Sequence, residues 1–146
     1  MAEGNQMSDT PTIATLAENG QSVFAMDISV SGHALTGDEP VDMGGANLGP
    51  APYDLLAAAL GECTGMTVRW YAKQQDWPLE RVEVTLTHQK GGPHAAGPKQ
   101  DVFTKSIRLT GDRLTPEQRA KLIEIAAKCP VQRTLEGTPL ILTAAE

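Results

Sequence analysis

Pro52-Tyr53-Asp54-Leu55-Leu56-Ala57-Ala58-Ala59-Leu60-Gly61-Glu62-Cys63-Thr64-Gly65-Met66-Thr67-Val68-Arg69-Trp70-Tyr71-Ala72-Lys73-Gln74-Gln75 decides the fold. A proline suits the first turn of a helix and an aspartate suits the positive end of its dipole. Nothing then interrupts the run before Asp76-Trp77-Pro78. The pattern predicts a helix over 53–75, some ~33 Å long at about 1.5 Å per residue. Leu56, Leu60, Cys63, Thr67 and Trp70 fall on one stripe at steps of four, three, four and three, and Leu55, Ala59, Met66 and Val68 widen it. Polar Glu62, Arg69 and Lys73 share only a narrow face. A helix apolar on most sides is buried on more than one of them. Gly61 and Gly65, with Ala57 a turn earlier, form a ridge of small residues. Each glycine costs ~1 kcal/mol against alanine inside a helix, so the close approach of another element is the expected reason for them.

Outward from that helix, both flanks read as strands. Residues 12–18 alternate, Asn19-Gly20 offers a two-residue hairpin turn, and 21–31 put Phe24, Met26, Ile28 and Val30 on one face. A third strand at 33–35 completes a meander before the turn-rich 36–50. Beyond the helix, 81–89 set Val82, Val84, Leu86 and His88 inward. After the loop at 91–98, residues 101–110 form a strand anchored by Phe103, Ile107 and Leu109, with the alternation broken at Lys105. Thr115-Pro116-Glu117-Gln118 carries a cap, a first-turn proline and a capping-box glutamine. Leu122, Ile125, Ala126 and Cys129 form the apolar face of the helix that follows, and 140–143 read as a last strand. The order is β-β-β-α-β-β-α-β, an α+β pattern. Residues 1–11 are an unpatterned, disordered lead, and 12–146 are one domain at about 150 residues per domain.

Charge and composition narrow the function. Twelve Lys and Arg against 18 Asp and Glu give a net charge of −6, which argues against a binder of nucleic-acid backbone. The longest apolar stretch, 55–61, is far short of the ~20 residues that cross a bilayer, so no membrane partner is expected. The N-terminus has no basic and apolar leader, which points to the cytoplasm. His33, His88, His94, Asp38 and Glu39 lack metal-ligand spacing. The glycines at 44–49 lack the Lys-Ser/Thr that a phosphate loop needs.

Two cysteines remain, too few for a stapled secreted domain. Cys63 lies on an apolar stripe, where a thiol is as readily a small hydrophobe as a reactive group. Cys129 says more. Pro130 favours the first position of a short helix, making Cys129 its N-cap with free amides aimed at the sulfur. A free thiol has a pKa near 8.5, and a helix N-terminus or a neighbouring cation lowers it. Arg133, one turn on, can add such a charge. Both cysteines sit on apolar helix faces, which a single core draws toward each other.

The stretch 49–67 resembles the first-cysteine helix of the OsmC/Ohr (osmotically inducible and organic hydroperoxide resistance) family, and Cys129-Pro130-Val131-Gln132-Arg133-Thr134-Leu135 resembles its second motif. The likeness spans about residues 20 to 144 and is nearest a branch with His33-Ala34-Leu35-Thr36-Gly37-Asp38-Glu39-Pro40 upstream. It implies an OsmC-like α+β fold in which two chains intertwine as a homodimer, with sheets wrapped around two central helices. It also implies thiol peroxidase chemistry, part of an oxidative stress response. Cys63 would attack a small organic hydroperoxide and become a sulfenic acid. Cys129 would condense with it to a disulfide, and an external dithiol reductant would restore both thiols. No cofactor and no metal are called for.

Two departures mark this chain. The better-known peroxidases carry an N-terminal arginine near the reactive cysteine, and residues 1–68 here contain none. Their carboxylate partner stands ten residues before that cysteine, where this chain has Tyr53. Asp54, about half a turn out of phase with Cys63, either substitutes or serves the helix start. Gln132 stands where close relatives often have His. Cys63, Cys129, Arg133 and Asp54 are therefore the candidate site residues. An alternative reading is an OsmC-fold protein that binds an apolar small molecule at the dimer interface with little redox turnover. A thiol redox sensor is a third.

Overall fold

The computed structural model describes residues 10–146; positions 1–9 of the expected N-terminal lead lie outside the described residues. The chain divides into two compact units that part after Ala58, within the first long helix. The architecture is mixed α+β, in the order β-β-β-α-β-β-α-α.

In the unit up to Ala58, β1 (Ala14–Glu18), β2 (Met26–Val30) and β3 (His33–Gly37) form an antiparallel meander. Ile28 is the buried centre of β2, and the flanking Asp27 and Ser29 are exposed, as the alternation predicts. The tight turn is not at Asn19-Gly20. Ser31 and Gly32, both at positive φ, join β2 to β3 with Val30 opposite His33. Residues 19–25 form a wider connection instead, because polar side chains outcompete a simple turn. Asn19 Oδ1 accepts the Gln21 amide at 2.9 Å, and Ser22 Oγ accepts those of Phe24 and Ala25. Phe24 is left outside the strand and exposed.

The loop after β3 is organised by Asp38. Its buried carboxylate accepts from Ser22 Oγ at 2.8 Å and from the amides of Glu39, Ala46 and Leu48 at 2.8, 3.0 and 3.2 Å. Burial by itself would raise this carboxyl, but the Ser22 hydroxyl and the three amides outweigh it and hold it below the ordinary carboxylate value. Gly45 and Gly49 are what let the loop close: a Cβ on either would collide with the backbone carbonyls of Glu39 or Thr36.

The first helix, α1 (Pro52–Gln74), lies where the periodicity predicts. Its buried positions are Leu60, Thr64, Thr67, Val68 and Ala72, so the stripe is rotated from the one read in the sequence. Cys63 and Trp70 are half-buried and Met66 is exposed. The unit from Ala59 on adds the hairpin of β4 (Arg81–Lys90) and β5 (Asp101–Thr110), then α2 (Pro116–Ala126) and α3 (Pro130–Glu136). The element that approaches the small-residue ridge is β4: Val84 and Leu86 pack over Gly61 and Gly65. Thr115 and Gln118 close the expected capping box on α2. Val68, Ala72, Leu79, Leu114, Leu122 and Ala126 form the core, with Tyr71 and Trp77 in edge-to-face contact at its border.

Residues 140–143 do not form the expected last strand. A strand needs a neighbour to pair its backbone, and this segment has none among the described residues. Leu140, Ile141 and Leu142 are 84%, 81% and 83% exposed.

Candidate active site

Three elements bring the two thiols together. Cys63 sits in α1, one residue off the line of buried threonines. Cys129 follows α2 and caps α3. Because Pro130 fixes the first turn of α3 and has no N–H of its own, the free amides beyond it turn back toward sulfur. Gln132 N–H donates to Cys129 Sγ at 3.4 Å, and Val131 N–H donates to Cys63 Sγ at 3.5 Å. The two thiols therefore stand side by side at the start of α3, close enough for each to bear on the other's ionisation. Cys129 is fully buried, whereas Cys63 is partly open to solvent.

The Cys63 thiol feels opposing influences. Burial pushes it up from its ordinary value, and the Cys129 thiol beside it adds to the rise. The Val131 amide and the Thr67 hydroxyl pull the other way by donating to the sulfur.

The cation at this site is Lys105, on β5 opposite Leu86. Its ammonium donates to Thr64 Oγ1 at 3.0 Å, to the Ala126 carbonyl at 2.7 Å and to Gln132 Oε1 at 2.5 Å. Thr64 Oγ1 donates to the Leu60 carbonyl at 2.8 Å and lies 3.5 Å from Cys129 Sγ. Gln132 Nε2 in turn donates to Glu136 Oε2 at 3.1 Å. Burial pushes the Lys105 ammonium below its ordinary value, and the negative charge that Cys129, Cys63 and Glu136 can carry favours keeping it protonated.

Of the four residues singled out in the sequence, the fold joins Cys63 and Cys129. Asp54 accepts the Ala51 amide at 2.9 Å, a capping bond at the start of α1. Arg133 is exposed on α3. Arg69 reaches the carbonyls of Leu79 and Glu80 at 2.7 and 3.2 Å and ties α1 to the segment leading into β4. Lys105 escaped the sequence reading, though its signal was there. It holds an inward slot of β5 between Phe103 and Ile107, where an apolar residue belongs. His88 stacks on Phe103 and bonds Asp101 at 2.8 Å. Among the described residues no three His, Cys, Asp or Glu side chains gather into a group that could hold a metal, and no helix is long and apolar enough to cross a membrane.

Solved structures share this fold. An OsmC-like protein from Mycoplasma pneumoniae is 17% identical with a TM-score of 0.71, over 89% of this chain and 90% of that one. An organic hydroperoxide resistance protein OsmC from Legionella pneumophila is 21% identical with a TM-score of 0.67, over 90% and 93%. The organic hydroperoxide resistance protein OhrB of Bacillus subtilis is 18% identical with a TM-score of 0.59, over 89% and 93%. No curated protein matches the sequence. Residues 44–143, which hold both cysteines, match the family of OsmC-like proteins. The chain belongs to that family.

Proposed function

We propose that the protein reduces organic hydroperoxides through its paired thiols. The observation that carries this reading is the placing of Cys63 and Cys129 against adjacent amides of α3, one thiol partly open and the other fully buried. Exposure assigns the roles. A peroxide can reach Cys63 but not Cys129. The Cys63 thiolate attacks the O–O bond, takes the terminal oxygen and, with a proton, releases an alcohol, leaving a sulfenic acid. Cys129 displaces that hydroxyl as water and forms the disulfide. An external dithiol then reduces the bond, so each cycle converts hydroperoxide and dithiol into alcohol, water and a disulfide. The Val131 amide and the Thr67 hydroxyl favour negative charge on the attacking sulfur. No metal, haem or flavin enters these steps. A reducing compartment such as the cytoplasm suits the chemistry.

The active form is a homodimer. The run Leu140-Ile141-Leu142, 84%, 81% and 83% exposed, is a continuous apolar segment that a second chain would cover.

Peroxide consumption with dihydrolipoamide tests the activity, comparing cumene hydroperoxide with hydrogen peroxide. We expect turnover with preference for the organic substrate and a single Cys63–Cys129 disulfide by mass spectrometry. Because burial raises the Cys63 thiol, the oxidation rate climbs through the alkaline range rather than levelling off at neutral pH. Free thiols at both positions after excess peroxide would sink this reading and favour ligand binding without turnover.

A further inference from the structure

The attack on peroxide as written uses neither Lys105 nor Thr64, yet the two are joined at 3.0 Å beside the thiols. The three N–H groups of the ammonium are matched by three neutral oxygens, those of Thr64, Ala126 and Gln132. Among the described residues no carboxylate is in ion-pair contact with it. Glu136 acts only from behind Gln132. A half-buried positive charge without a carboxylate beside it is poised to meet a negative charge formed close by. The contacts say which sulfur that is. Thr64 Oγ1, which Lys105 touches, lies against Cys129 Sγ, and Gln132 binds Lys105 through its side chain while its backbone amide caps the same sulfur. The donors that favour charge on Cys63 are Val131 and Thr67 instead.

We propose that Lys105 and Thr64 are a positioning pair for the resolving thiol Cys129, not for the peroxide-attacking Cys63. In the resting site the Thr64 hydrogen points to the Leu60 carbonyl, so the Cys129 thiol donates to Thr64 Oγ1. When Cys129 attacks, its proton leaves with the Cys63 hydroxyl as water, the Cys63 S–O bond breaks and the S–S bond forms. The Cys63 sulfur is reduced and the Cys129 sulfur oxidised by the same amount. As negative charge gathers on Cys129, the Thr64 hydroxyl swings from Leu60 to the sulfur, made a stronger donor by the ammonium behind it. The groups facing Lys105 are Cys63 on α1, Cys129 and Gln132 at α3, Ala126 on α2 and Glu136, so the charge state of this step is set within that circle.

The role rests on the thiol-exchange part of the peroxidase reading, and it can be measured without peroxide. Ellman's reagent, 5,5′-dithiobis(2-nitrobenzoate), releases one thionitrobenzoate when it modifies the accessible Cys63. A second is released when Cys129 displaces the first adduct and closes the disulfide. In Lys105→Met we expect the first release within about threefold of wild type and the second slowed ~10-fold or more, with its pH profile moved to higher pH. Lys105→Arg restores most of the rate, and Thr64→Val slows the second release with less change in its pH profile. Equal slowing of both releases in Lys105→Met would transfer the cation to Cys63. A second release in Lys105→Met with wild-type rate and pH profile would overturn the proposal. Thr64→Val applies the same criterion if Lys105→Met does not fold. Failure of peroxide to oxidise wild-type Cys63, with these exchange phases intact, would sink the peroxidase reading alone.

Discussion

Asp38 and Lys105 are both drawn beneath the surface of their own units, and they are held in different ways. Four donors saturate Asp38, three backbone amides from one loop and the Ser22 hydroxyl, and no titratable partner stands among them. Three neutral oxygens hold Lys105, and the groups its charge acts on are two thiols and a glutamate. The first arrangement completes a loop and leaves nothing to react. The second keeps a charge in place beside groups that change theirs. Asp38 should therefore govern stability without touching thiol chemistry, and Lys105 should do the reverse.

The largest expected effect tests the structural half of that contrast. Gly49→Ala puts a Cβ against the Thr36 carbonyl, and Gly45→Ala puts one against the Glu39 carbonyl and the Asp38 carboxylate. Backbone must shift in either case, so each should cost about 1–3 kcal/mol or more. Denaturant unfolding reads the loss. The two thionitrobenzoate phases should keep their rates in the folded variants, and a slowed second phase would mean that the Asp38 loop also governs the thiols.

A comparable loss comes from cutting Arg69 away from the Leu79 and Glu80 carbonyls. Arg69→Met removes two charge-assisted bonds at a half-buried site and should cost about 1–3 kcal/mol in unfolding experiments. It should leave peroxide consumption per folded molecule unchanged. A loss of turnover in excess of the loss of folded protein would place Arg69 in the chemistry.

The acid side of the stability curve sharpens the role of Asp38. Its carboxyl is held below the ordinary value, so it contributes stability above about pH 4 that is lost as pH falls through the lowered value. Asp38→Asn should thus be less stable than wild type at neutral pH, and the gap should narrow under acid. Unfolding midpoints taken down to about pH 2.5 decide the matter. A gap that stays constant with pH would mean that the hydrogen bonds, rather than the charge, do the holding.

What the sequence made legible follows the range of the interactions involved. The Cys129 cap, the Thr115 capping box, the inward face of β4 and that of β2 from Met26 to Val30 depend on residues a few positions apart, and all stand in the structure as read, while Phe24 falls outside β2. Residues 19–25 depart from a two-residue turn because Asn19 and Ser22 bond nearby amides, and Ser22 also bonds Asp38, 16 residues away, a contact that only the fold shows. Lys105 belongs to the same class. Its acceptors lie 21, 27 and 41 residues off, so the sequence displayed a broken alternation without the oxygens that explain it. Composition alone suggests a strand at 140–143, and pairing is a property that composition does not supply.

The smallest expected effect separates the two cations near the second motif. Arg133 has the position along the chain that an activating charge should have, one turn beyond the Cys129 cap. The helix that places it there also leaves it exposed, and water screens a charge at such a site. The groups that act most on Cys63 are Val131, Cys129 and Thr67. Arg133→Met should therefore change stability by less than about 0.5 kcal/mol, as surface substitutions do. It should also leave the pH dependence of iodoacetamide alkylation at Cys63 where it is. Lys105→Met, measured beside it, should act on the Cys129 phase of thiol exchange instead. An upward move of the Cys63 alkylation profile in Arg133→Met would show that the guanidinium turns inward in the working protein, and would return the activating role to the residue the sequence first suggested.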